Sequence, residues 1–99
     1  MLVQSSRGKV RVRVLYSQSG LAVTQALWMT GKLIMVREGY YCVTHVPTGL
    51  TICQHLRLPV AKQLVSQVVK LVDWPNVKRP GRNAAWREIA RLVKKTISD

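Results

Sequence analysis

At Pro59 the apolar residues of this chain change period. Before it they recur at every second position, as in "KVRVRVLY" (residues 9–16). After it they recur at every third or fourth, as in "LPVAKQLVSQVVKLV" (residues 58–72). A two-residue period belongs to half-buried strands and a 3.6-residue period to amphipathic helices, so one chain carrying both in this order has few options. The order predicts an α+β fold, an antiparallel meander of four to five strands followed by two C-terminal helices. At 99 residues with 47% hydrophobic content, the chain can build one modest core without disulfide or metal staples.

The first strand is expected within "RGKVRVRVLYS" (residues 7–17), with Val10, Val12, Val14 and Tyr16 on one face. Lys9, Arg11 and Arg13 then occupy the other face, about 6.6 Å apart. "SQSG" reads as a turn, and "LAVTQALWM" as a second strand with Leu21, Val23, Leu27 and Met29 on its apolar side. A helical stripe through Ala22, Ala26 and Met29 competes, but β-branched Val23 and Thr24 and the bracketing Gly20 and Gly31 favour the strand. "LIMVR" (residues 33–37) is an apolar run suited to a strand covered on both faces, interrupted by "REG".

"YYCVTHVPTGLTICQHL" (residues 40–56) is a hairpin whose register decides which residues meet. A two-residue turn on Pro47 and Thr48 needs positive φ at proline and is excluded. A type I turn through Pro47 with Gly49 in the left-handed region gives a three-residue loop that pairs Val46 with Leu50 and Cys42 with Gln54. Cys42, Val46, Leu50, Ile52 and Leu56 then share the face expected to be core. Tyr41, Val43, His45, Thr51, Cys53, His55 and Arg57 share the face expected to be half exposed. Cys42 and Cys53 fall on opposite faces, which predicts two free thiols, with Cys53 the more accessible.

A helix is expected over 59–73, with Pro59 in its first turn and Val60, Leu64, Val68, Leu71 and Val72 on its apolar stripe. "PNVKRPGR" breaks it. The final segment then becomes helical from Asn83, an N-cap candidate, with Trp86, Ile89 and Leu92 as its docking residues. The organisation expected is a sheet-plus-helix unit over 1–75, a basic linker over 76–82 and a basic helix over 83–99, together making one domain.

Sixteen Lys and Arg stand against four acids, a formal net charge of +12 at pH 7. Ordinary soluble surfaces mix signs, whereas ten of these cations fall in three groups: Lys9, Arg11 and Arg13; Lys78, Arg79 and Arg82; and Arg87, Arg91, Lys94 and Lys95. Such clustering points to a polyanion, and the residues named are the candidate phosphate contacts. Trp28 and Tyr41 are the candidates for stacking on bases, although a chain with no Phe needs its Trp and Tyr for packing. The reading is a small nucleic-acid-binding protein, for DNA or RNA, needing no cofactor. The alternative is a protein-binding module, an inhibitor or assembly factor whose last helix meets an acidic or ribonucleoprotein partner. The opening "MLVQSSRGK" lacks the apolar core of a signal peptide and no apolar run reaches membrane-spanning length. An intracellular location, cytoplasmic or nucleoid-associated, is therefore expected, without a membrane partner.

Chemistry has less to stand on. Four acids are too few for paired-carboxylate or metal-dependent nuclease sites. His45, Cys53 and His55 on one sheet face would give a metal three ligands of the four that structural zinc requires. A metal-independent ribonuclease or toxin would use His45 or His55 as acid and base. Among nucleic-acid-binding modules, no RNP segment, no GxxG loop and no short turn between the two helices is present.

Overall fold

The computed structural model describes residues 1–5, 8–30, 33–78 and 86–98, the side chains of 29, 30, 86 and 96–98 excepted. It is an α+β fold with six antiparallel strands in two sheets, followed by two helices. Strands β1 (Leu2–Ser5) and β2 (Gly8–Arg11) form a ribbon of their own. Strands β3 (Val14–Gln18), β4 (Leu21–Thr30), β5 (Leu33–His45) and β6 (Thr51–Leu56) form the main sheet as a meander. Helix α1 (Leu58–Val68) follows at once, a single 3-10 turn at Trp74–Asn76 comes next, and helix α2 (Trp86–Ser98) closes the chain.

The core lies between the main sheet and α1. Leu21, Val23, Val43 and Cys53 from the sheet meet Ala61, Leu64, Val65 and Val68 from the helix. Each large aliphatic side chain removed from water here contributes about 1.5–3 kcal/mol. Trp74 fills the end of this layer, with its indole N–H donating to the Val68 carbonyl at 3.0 Å. Ile89 joins the same cluster from α2, with Leu92 and Val93 partly buried beside it. Of the expected docking residues, Ile89 and Leu92 therefore pack as foreseen, and the Trp86 side chain lies outside the described residues.

Four sequence expectations are corrected by this arrangement. The opening strand is not continuous. The alternation holds from Lys9 to Arg13, but β2 pairs with β1 whereas Val14 pairs with Thr24 of β4, so the chain changes sheets at Val12 and Arg13. A bulge at Leu15 then shifts the pattern, leaving Val14 exposed and Leu15 half buried. Next, "LIMVR" is not covered on both faces. Leu33 is 64% exposed and Met35 54%, because β3 and β6 pair only with the far halves of β4 and β5, and residues 26–30 and 33–37 extend beyond them as a two-stranded ribbon.

The hairpin is corrected in its loop and its faces. Gly49 has the expected left-handed φ of +71° and Val43 faces Cys53 as expected. However, the Val46 N–H donates to the Gly20 carbonyl at 2.8 Å, which draws Val46 out of the hairpin. The loop is accordingly one residue longer, with the His45 N–H donating to the Leu50 carbonyl at 2.8 Å. The core face is largely the opposite one: Val43 and Cys53 pack in the core and His45 is fully buried, whereas Val46 and Leu50 are exposed; of the residues expected in the core, Leu56 joins it and Ile52 packs against it. Finally, α1 ends at Val68 rather than 73, because Trp74 must turn back under the helix to reach the Val68 carbonyl.

Candidate nucleic-acid interface

Lys9 and Arg11 project from β2 into solvent, and Arg13 is exposed where the chain enters the main sheet. The Arg13 N–H donates to Gln25 Oε1 at 3.0 Å, and the Gln25 N–H donates to the Arg13 carbonyl at 3.2 Å. Arg13 is therefore anchored by its backbone while its side chain faces water. Lys78 is exposed, while Arg79 and Arg82 lie outside the described residues. On α2 Arg87, Arg91, Lys94 and Lys95 are all exposed, but they are not an uninterrupted ridge. Arg91 Nε donates to Glu88 Oε2 at 3.2 Å, and a second guanidinium nitrogen bonds the other carboxylate oxygen. These bonds hold the Glu88 carboxyl below its ordinary range and raise Arg91 further. Arg91 is thus partly neutralised in place, which leaves Arg87, Lys94 and Lys95 as the unpaired charges of this face among the described residues.

The structure also brings Trp28 and Tyr40 together with two arginines, Arg37 and Arg57, that the sequence spacing did not single out. Arg37 Cζ lies 3.6 Å from the Tyr40 ring centroid and 4.4 Å from that of Trp28, and Arg57 Cζ lies 4.3 Å from Tyr40. Such contacts hold guanidinium planes against ring faces by about 0.5–2 kcal/mol each. Arg57 also donates to the Gly39 carbonyl at 3.3 Å. Two guanidiniums therefore share one ring, and neither pairs with a carboxylate of the described residues, adjacent Glu38 included. Their mutual repulsion disfavours the cluster alone and is relieved by an anion.

Trp28 stands 48% exposed at this cluster, in a tilted contact with the His55 ring at 5.7 Å between centroids. Tyr41, the other stacking candidate, is partly buried against the core, and the ring in this cluster is that of Tyr40. The local cause is a bulge in β5. Gln25 faces Tyr41 while the next residue, Ala26, faces Arg37, so residues 38–40 are extra on β5, and Gly39 takes φ +80°. "REG" interrupts the ladder without ending the strand.

The histidine readings are corrected too. His45 is fully buried, not half exposed. Its Nε2 donates to the Trp74 carbonyl at 2.7 Å and its Nδ1 lies 2.7 Å from Thr48 Oγ1. A carbonyl only accepts, so Nε2 holds a proton and the ring is committed to structure. It cannot reach a scissile phosphate. His45 and Cys53 belong to the core face, whereas His55 lines a cavity on the other, and among the described residues no three metal-ligating side chains converge. Both cysteines are free and buried, Cys53 in the core and Cys42 on the cavity side, so Cys53 is not the more accessible thiol. Of the described apolar side chains of α2, Ile89, Leu92 and Val93 pack inward. No helix among the described residues is long and apolar enough to cross a membrane. Comparison with known proteins finds no matching family model, no similar curated protein and no similar solved structure.

Proposed function

We propose that this protein binds nucleic acid, chiefly through phosphate contacts, with the exposed Trp28 ring available to an unpaired base. The observation that carries the reading is the Arg37–Tyr40–Arg57 cluster beside exposed Trp28: two guanidiniums held close without a carboxylate, at a surface ring. Arg and aromatic side chains in that association suit a strand presenting alternating phosphates and base faces. Lys9, Arg11, Arg13, Arg87, Lys94 and Lys95 add exposed positive charge, which draws polyanions in and makes affinity depend on salt. The test is a titration against single- and double-stranded DNA and RNA at several salt concentrations. Binding that weakens steeply with salt and favours single strands supports the reading; absence of binding at low salt overturns it.

A second reading keeps a protein partner but moves it from α2 to the ribbon formed by residues 26–30 and 33–37. Exposed Trp28, Leu33, Met35 and Val36 there favour it, because a projecting apolar ribbon is a surface that strand addition would cover.

A further inference from the structure

A cavity of about 520 Å3 lies between β1 and the face of the main sheet turned away from α1. Val3, Leu27 and Leu50 give it apolar walls, while Gln25, Gln54 and His55 place polar groups along it. The volume is within the range of small-molecule sites, about 300–1,000 Å3. None of the described residues lining it is Lys, Arg, Asp or Glu. A charged group would lose its hydration there without a counter-ion, so the chemistry admitted is neutral.

His55 marks the site independently. Among the described residues it is one of two non-glycine residues with positive φ, at +58°. Its Nδ1 is buried without a hydrogen-bond partner among the described residues. Leaving a buried polar atom unmet and a backbone in the left-handed region are both costly, and together they identify a position held for something other than stability. The cavity also adjoins the cationic cluster. Gln25 lines both the cavity and a smaller recess with Arg37 and Tyr40, and its Oε1 is used by the Arg13 N–H, which leaves its NH2 as the group it can offer. Trp28 touches both His55 and Arg37.

A neutral, hydrogen-bonding cavity flanked by unpaired guanidiniums matches the two halves of a nucleotide. We infer that the cavity receives one unpaired nucleobase, its edge met by His55 Nδ1 and the Gln25 and Gln54 amides, while Arg37, Arg57 and Arg13 hold the flanking phosphates. This inference deepens the nucleic-acid reading and rests on it. The Gln54 amide can meet a base edge with adjacent donor and acceptor while Gln25 offers its NH2, and a base removed from its stack can enter such a site whole.

The test compares a short single-stranded oligonucleotide with the same backbone carrying abasic sites throughout, using the full chain, His55→Gly and Gln54→Trp. His55→Gly removes the ring and suits the local backbone, and Gln54→Trp narrows the cavity from an exposed position, so folding of at least one is secure. The inference predicts that the full chain loses about tenfold or more in affinity on the abasic strand, and that the variants lose most of this difference. Equal affinity for both strands overturns the cavity inference and leaves phosphate binding standing. Should neither strand bind, the nucleic-acid reading fails, and free adenosine, guanosine, cytidine and uridine decide the cavity: a shift of the His55 ring resonances sustains a base site, and no shift overturns it.

Discussion

The Arg37 guanidinium lies 3.6 Å from the centroid of Tyr40, three residues along the same strand. In a regular strand two such residues would point to opposite faces, about 10 Å apart. The extra residues 38–40 and the left-handed backbone at Gly39 bring them together. Gly39→Ala should therefore weaken polyanion binding. Its added methyl meets only the movable Arg57 Nη1, at 3.1 Å, so the cost comes from φ +80°, about 1 kcal/mol. Chemical denaturation and a binding titration on the same variant check both effects.

His55→Gly should leave stability within about 1 kcal/mol of the parent, because relief of a left-handed non-glycine backbone and removal of a buried nitrogen with no partner among the described residues offset the freer unfolded chain and the lost ring contact with Trp28. A denaturation midpoint close to the parent's with lower affinity for base-bearing strands would show that the residue is retained for something other than stability.

His45→Ala should cost about 2–4 kcal/mol, since it opens a void beside Trp74 and strips the Trp74 carbonyl of its donor. Once temperature is lowered so that the variant stays folded, its nucleic-acid affinity should match that of the parent. A specific affinity loss in the folded variant would put His45 in the interface.

The two thiols give a pH prediction. Burial raises both Cys42 and Cys53 above the ordinary value of 9.0, so the folded state retains thiol protons that the unfolded chain releases. Their contribution is fully present below pH 9.0 and is lost as pH rises above it; stability should therefore fall with pH on the alkaline side, and less so in a Cys42→Ser, Cys53→Ser protein. At neutral pH alkylation should be slow, with Cys42 reacting first through the cavity.

The change of period at Pro59 was enough to read the class of fold, the helix start and the strand pairing of Val43 with Cys53, because these follow from local periodicity and proline geometry. What the sequence concealed was decided by longer-range contacts. Which hairpin face became core depended on where α1 and Trp74 landed, and the loop length on the bond from Val46 to Gly20, 26 residues back. The exposed cations of β2 and α2 were legible as clusters. The meeting of Arg37 and Arg57 at Tyr40 was not, because a bulge and the end of β6 assemble them.

The most direct test of phosphate binding is the salt dependence of affinity for a single-stranded oligonucleotide, measured for the full chain and for two variants, Arg37→Gln/Arg57→Gln and Lys9→Gln/Arg11→Gln/Arg13→Gln. Each lost phosphate contact lowers the slope of log K against log salt by about 0.7 on single strands. The account predicts a slope reduced by one to two contacts in the first variant and by up to three in the second, with both proteins folded. A full chain that does not bind, or slopes unchanged by both sets of substitutions, would contradict it.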